Sequence, residues 1–419
     1  MRDIYLCRLP ILTRRLEIWG YEITAGRIGL REPLSTGGGN LPRTRPSQQT
    51  RPDIVSEEAR LVLEALAEIG LPSLVGDTPA LLRLSPTTVI AARELLAPLA
   101  PPDRLIPLLV VGPEPDPAAL SAACDRLREA GFRVGLAGYR GQPELASLAR
   151  TVHLVALSCR EAMPDEFAQL VESLRATRAQ ILATEVEDYE RFDRCRSMHI
   201  PLFSGSFLAL PRPMRATRAP ANRALLLLLA RLQDPDVEFS ELEALISLDV
   251  GLTYRLLRLV NSVWYGRRRI ESVRQALLLL GTRLVSAWVT LLLMADIPDK
   301  PHELLTTAVI RARMAELIVA ATGKGNREAA FLVGLLSVLD ALLDQPMDEL
   351  LAALPLAEEL RVALLHRAGE LGAILDLILA YERGNWERAL SLGLRPSVVT
   401  SAYLDAIALA REIDQALAA

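Results

Sequence analysis

Arg255–Gly281, RLLRLVNSVWYGRRRIESVRQALLLLG, decides how this 419-residue chain is read. Leu252, Leu256, Leu259 and Val263 run into it at helical spacing, so they share one buried face. Asn261 and Ser262 interrupt that stripe, and their short polar side chains suit a chain that must be bonded as it leaves a helix. Ser272 followed by Gln275 has the capping-box spacing of a new helix start. Val273, Leu277 and Leu280 carry its apolar face to Gly281, a C-terminal cap. Two helices joined by a basic, aromatic turn are predicted.

Downstream of this stretch the helical pattern continues to the end of the chain. Ala287–Ala295, AWVTLLLMA, is apolar on every side, which predicts a central buried helix with Trp288 in the core. In LAYERGNWERAL, Tyr381 and Trp386 sit among charges and are expected to serve packing between domains. Upstream, helices are expected to begin near Asn222 and at Ser240, where Ser240 and Glu243 repeat the capping-box spacing.

Before Pro211–Pro220, PRPMRATRAP, the pattern changes. Short β-type runs at Arg104–Val111, Arg133–Leu136, His153–Ser158 and Gln180–Ala183 alternate with helical stretches at Pro117–Ala130 and Pro164–Ala176. That alternation predicts a parallel α/β sheet or barrel. An earlier helix is expected over Ser56–Ile69, preceded at 34–53 by a Gly-, Pro-, Ser- and Gln-rich loop expected to be mobile. The domains are therefore placed at 1–210 and 211–419, an α/β domain followed by an all-α one.

Composition narrows the function classes. A net charge of -4 gives no general pull toward nucleic acid, and no specific nucleic-acid partner is expected. Cys7, Cys124, Cys159 and Cys195 show no CxxC spacing or companion histidines, so they are expected to be reduced thiols rather than zinc ligands or a disulfide framework. The opening MRDIYLCRLPILTRR lacks the apolar run of a signal peptide, and Leu284–Ala295 falls short of the roughly 20 residues needed to span a bilayer. No membrane insertion and a cytoplasmic location are the expectation.

Two resemblances then attach to particular residues. LISLDVGLTYRLLRLVNSVWYG, the Gln275–Gly281 helix, FLVGLLSVLDALLDQPMDELLAALPL and LAYERGNWERAL together resemble the HDOD domain of bacterial signalling proteins, a relative of the HD phosphohydrolases. YLCRLPILTRRLEIWGYEI resembles the first hairpin of EAL-type cyclic di-GMP phosphodiesterase domains, with Glu22 as the motif glutamate, and Ile181–Pro211 is similar to the last strands of that barrel. The resemblance implies a degenerate EAL-type (β/α) barrel followed by an all-helical HDOD domain. It also implies, for an active enzyme, two divalent metals held by carboxylates and an asparagine, with a lysine beside the attacking water.

Set against that pattern, Arg83 stands for the asparagine, Ala137 and Gly138 for the paired aspartates, Ala156 and Ser158 for a lysine and an aspartate, and Thr184 for a later glutamate. Glu22 and Glu187 alone keep their type, and a carboxylate paired with an arginine is the favoured reading of both. The only lysines, Lys300 and Lys324, lie outside the barrel, and no Asp-Asp pair occurs. In the helical domain Ser337 falls near the expected His-Asp dipeptide and Asp340 is off register. His302 and His366 are followed by Glu303 and Arg367.

The resulting expectation is a chain that is not an enzyme and carries no metal and no cofactor. It is a non-catalytic signal-transduction protein, a regulated docking module in or near cyclic di-GMP signalling. The alternatives are a receptor binding cyclic di-GMP or another nucleotide without hydrolysis, and, third, residual metal-dependent phosphodiesterase activity through Glu22 and Glu187. The expected partners are signalling proteins or a cyclic dinucleotide, with a homodimer implied by the family. Trp264, Tyr265, Arg267, Arg268 and Arg269 form the candidate partner or anion-binding turn. Asn261, Ser262 and Gly281 are read as structural.

Overall fold

A computed structural model describes residues 4–27, 52–89, 101–160, 164–212, 219–234, 236–263, 270–297, 300–323, 325–389 and 392–418. They form two compact units. The first holds Met1–Phe207 with the returning segments Ala380–Leu390 and Arg395–Thr400; the second holds Leu208–Leu379, Ser391–Leu394 and Ser401–Ala419. The division thus differs from a single cut at 210, because two late segments count with the first unit.

The first unit is a closed barrel of eight strands in sequence order. The strands are β1 (Ile4–Thr13), β2 (Ile18–Arg27), β3 (Ala80–Leu84), β4 (Leu105–Val110), β5 (Gly135–Ala137), β6 (Leu154–Ser158), β7 (Gln180–Thr184) and β8 (Leu202–Phe203). β1 runs antiparallel to both its neighbours, and every other pairing is parallel. Helices α1 (Pro52–Ile69), α2 (Leu71–Val75), α3 (Pro117–Glu129), α4 (Ala146–Thr151), α5 (Pro164–Arg175) and α6 (Tyr189–Ser197) lie in the connections. Residues 34–51 of the loop expected to be mobile lie outside the described residues, and Pro52 and Asp53 already belong to α1.

Period-two alternation sends one set of side chains inward. Ile11, Leu81, Ile106, Leu108, Ala137, Leu154, Ala156, Leu182 and Leu202 fill the barrel as one apolar cluster. The outer face of β1 is covered by the returning segments. Tyr381 accepts from the Leu6 amide at 3.3 Å and donates to the Leu6 carbonyl at 2.5 Å, while Thr400 donates to the Ile4 carbonyl at 2.8 Å. The Trp386 indole stacks flat on Tyr5, with centroids 5.3 Å apart and planes 2° apart. Gly26 is the cross-strand partner of Tyr5, and a Cβ there would collide with that indole. The glycine therefore opens the slot that the tryptophan fills, as aromatic cover of a strand glycine.

The second unit is helical: α7 (Ala219–Leu232), α8 (Phe239–Ser247), α9 (Val250–Val263), α10 (Val273–Leu280), α11 (Thr282–Ala295), α12 (His302–Thr322), α13 (Arg327–Leu336), α14 (Leu339–Leu343), α15 (Met347–Ala352), α16 (Glu358–His366) and α17 (Gly369–Glu382), the last ending in the returning segment that begins at Ala380. α18 (Trp386–Ala389) belongs to the first unit, and α19 (Pro396–Ala418) enters the second from Ser401. As expected, α11 is buried along nearly its whole length, and Trp288 packs edge-on against Phe331 at 5.6 Å. Gly334 lets α13 press on the backbone of α12, since a Cβ there would strike Ala312.

The opening stretch folds as read. Ser272 accepts from the Gln275 amide at 3.1 Å, and the Gln275 side chain accepts from the Glu271 amide at 2.9 Å. Gly281 caps α10 at φ 85°. The other capping box does not form: Glu238 precedes α8, and Ser240 lies inside its first turn with its hydroxyl turned to Glu238. Local spacing identified the helix but not its first residue.

Two outcomes follow. The Tyr5 hydroxyl is buried with no hydrogen-bond partner among the described residues, and burial pushes its pKa up to about 12. Tyr5→Phe should therefore leave the thermal midpoint unchanged or raise it, whereas Trp386→Ala, which empties the slot, should cost about 1–3 kcal/mol. In the helical unit the His302 Nε2–H donates to the Asp414 carboxylate at 2.9 Å, and this bond raises the His302 pKa against a burial effect that would lower it. A raised histidine stabilises the fold below its unfolded pKa and loses that contribution as pH climbs through the folded value. With His302 largely exposed, the effect is a few tenths of a kcal/mol. Thermal midpoints between about pH 6 and 8 should slope downward by this amount in the wild type and be flatter in His302→Asn.

Candidate functional site

In a barrel with parallel strands, the carboxyl ends and the loops that follow them form the reactive face. The positions singled out by the family pattern gather there. Arg83 lies near the end of β3, Ala137 at the end of β5, Ser158 at the end of β6 with Ala156 midway along it, and Thr184 at the end of β7. Glu22 sits on β2 across from Leu81, so it and Arg83 share the inward face.

Glu22 and Arg83 are bonded to one another, Nε to Oε1, at 2.5 Å. The Glu22 side chain is 4% exposed and that of Arg83 17%. Burial alone would lower the Arg83 pKa, but Glu22, with Glu58 and Glu185 behind it, more than offsets this and the pKa is raised. Glu187 is also held by an arginine, Arg191, at 2.9 Å one turn along α6. It stands at the start of that helix, just before Asp188, whose carboxylate caps it. The structure thus places Glu22 inside the barrel and Glu187 beside α6, each in an ion pair.

Glu185 was not found from sequence. It follows Thr184 with a left-handed backbone, φ 59°, and accepts from the Ser158 hydroxyl at 2.5 Å. A glutamate in that conformation has no signature in residue spacing, because its side-chain direction is set by the turn. Arg140 and Arg160, in the loops after β5 and β6, bring further positive charge to this face. Arg140 is exposed, and the Arg160 amide donates to the Ser158 hydroxyl at 3.2 Å.

The family pattern calls for a metal pair, and these donors do not fit one. Glu22 is bound by a guanidinium, and Ala137 and Ala156 are packed into the apolar cluster. Among the described residues no group of three or more histidine, cysteine, aspartate or glutamate side chains could hold a metal ion.

The corresponding region of the helical unit is organised around an arginine too. Arg311, 5% exposed on α12, donates to the Ser337 hydroxyl at 3.2 Å, and that hydroxyl donates to the Gly334 carbonyl at 2.7 Å. Burial raises the Asp340 pKa, opposed by its own helix-start hydrogen bond and by Arg311 and Arg367. His302 opens α12 and His366 ends α16, so each is a helix-end residue.

Asn261 is the pivot of the opening stretch. Its amide donates to the Leu257 and Ile270 carbonyls at 2.6 and 2.7 Å and accepts from the Ile270 amide at 2.8 Å. It ties the end of α9 to the chain entering α10. Ser262 is exposed. Trp264, Tyr265, Arg267, Arg268 and Arg269, the candidate partner turn, lie outside the described residues.

The ion pair inside the barrel sets a test. Arg83→Met should strand a buried carboxylate and cost about 3–5 kcal/mol, and Glu22→Gln should cost less because it leaves the cation at the more exposed end. The double replacement Glu22→Gln with Arg83→Met should recover much of the loss in thermal or urea unfolding. Additive losses would show that the two side chains are not coupled.

Comparison with known proteins bears on both units. Residues 220–354 match the HDOD domain model. A Vibrio cholerae protein named cyclic di-GMP phosphodiesterase CdgJ is 27% identical over 428 residues, covering 99% of this chain and 94% of its own length. The uncharacterised protein YuxH of Bacillus subtilis is 23% identical, covering 96% of this chain and 97% of its own. Among solved structures, the Xanthomonas citri FimX EAL domain in complex with c-diGMP is 18% identical and covers 51% of this chain and 89% of its own, with a TM-score of 0.36.

The relation to CdgJ overturns the expectation of a non-catalytic docking module. That expectation rested on departures from the motif and on a barrel without a lysine or an Asp-Asp pair, which describes the side chains present and says nothing of what a similar protein over the whole length is named for. Among the described residues no helix is long and apolar enough to cross a membrane. Residues that match the HDOD domain model thus follow a closed eight-stranded barrel, an order similar to that of the EAL-HDOD proteins.

Proposed function

We propose that this protein works in cyclic di-GMP signalling and that the carboxyl-end face of its barrel binds the dinucleotide. The observation that carries the proposal is the end-to-end relation to a protein named as a cyclic di-GMP phosphodiesterase, combined with a barrel face rich in arginine. Cyclic di-GMP is a dianion with two phosphodiesters and two flat bases. Guanidinium groups suit phosphodiesters because they offer paired donors and keep their charge.

Arg140 and Arg160 are proposed to meet the phosphates, each from a loop at the strand ends. Arg83 adds positive charge beneath them while remaining on Glu22. Ser158 and Thr184 supply hydroxyls at the same face, and the apolar cluster closes the barrel below it. Turnover is measured beside binding rather than inferred from it.

Calorimetric titration of the full chain with cyclic di-GMP tests the proposal. Saturable binding is expected, weakened about tenfold or more in an Arg140→Ala, Arg160→Ala double variant, as the loss of charge-assisted hydrogen bonds requires. Absence of heat or thermal shift from folded protein at millimolar dinucleotide would reject it. Product analysis with Mg²⁺ or Mn²⁺ in the same samples reports hydrolysis independently.

A further inference from the structure

The barrel face also holds a pair of nucleophiles that the proposed ligand site does not use. The Cys159 and Cys195 sulfurs lie 3.4 Å apart although 36 residues separate them in sequence. Both are free thiols. Cys159 leaves β6 immediately after Ser158, partly exposed, and its amide donates to the Thr184 carbonyl at 3.0 Å. Cys195 is buried at 3% exposure on α6, two turns from the capping Asp188. The remaining cysteines are placed differently: Cys7 bonds with Thr24 at 3.1 Å, and Cys124 is buried on α3.

The contact also divides the two thiols chemically. The hydrogen bond with Cys159 holds the Cys195 pKa below the usual thiol value against the opposing effect of burial, and Arg194 adds to the lowering. The same bond and burial push Cys159 up. Two sulfurs in contact, one of them held below the usual thiol value, have the arrangement of a redox dithiol.

We propose that Cys159 and Cys195 are a reversible two-electron redox pair, oxidised by peroxide to a disulfide that staples the exit of β6 to α6. In the first step the Cys195 sulfur attacks one peroxide oxygen. The O–O bond breaks, and the departing hydroxide takes the thiol proton and leaves as water, giving a sulfenic acid. The Cys159 sulfur then attacks the Cys195 sulfur. The S–S bond forms, the S–O bond breaks, and the hydroxyl leaves with the Cys159 proton as a second water. Two thiols lose two electrons and one peroxide gains them; a dithiol reductant reverses the change by exchange. Because Ser158 precedes Cys159 and bonds to Glu185, the staple acts on the same barrel face.

The test is independent of any ligand. The folded full chain is treated with an equivalent of hydrogen peroxide, alkylated and mapped by mass spectrometry without reduction. The expected result is a fall from four free thiols to two, a single intrachain crosslink between Cys159 and Cys195, and full recovery with dithiothreitol. Cys195→Ser should abolish the crosslink and leave Cys159 a free thiol, whereas Cys159→Ser should leave Cys195 as a trappable sulfenic acid. Four thiols persisting in excess peroxide, a crosslink through Cys7 or Cys124, or oxidation of Cys159 to sulfinic acid with no crosslink would each overturn the proposal.

Discussion

A carboxylate inside a barrel must be neutralised or compensated, and the inward-facing Glu22 has the Arg83 guanidinium at 2.5 Å. That one contact determines what the barrel face can be. It engages the Glu22 carboxylate with a fixed guanidinium. It also holds positive charge among apolar side chains, beneath a rim where Arg140 and Arg160 add more.

The helical unit repeats the substitution by other means. Arg311 is buried and donates to the hydroxyl of Ser337, the residue near the expected His-Asp dipeptide, and that hydroxyl is itself fixed on the Gly334 carbonyl. Gly334 in turn permits the close approach of α13 to the α12 backbone that carries Arg311. Asn261 works in the same structural sense, closing α9 onto the entry to α10 with three hydrogen bonds. In each unit the polar groups that stand out in the sequence are engaged with the chain itself.

Much of this was legible from residue order. The β-type runs between Arg104 and Ala183 fell within a residue or two of the observed strands, because each is a short apolar run bounded by turn residues. The Ser272 cap and the buried α11 were equally plain, since both depend on neighbours within a few positions. What escaped depends on long-range geometry. An amphipathic segment shows that Tyr381 and Trp386 have a face to bury but not that β1 and Gly26 receive it. The Cys159–Cys195 contact joins a strand end to a helix and leaves no trace in spacing. Glu185 is aimed by a left-handed backbone that residue type does not announce. Function was misread for a related reason: the loss of motif residues was legible, whereas the purpose of the barrel that lost them was not.

The most direct measurement is a crystal structure of the full chain grown with cyclic di-GMP and Mn²⁺, with anomalous scattering used to locate manganese. The account predicts the dinucleotide at the carboxyl-end face with its phosphates on Arg140 and Arg160, and Arg83 still bonded to Glu22. Manganese coordinated by Glu22, with Arg83 swung away from it, would contradict it.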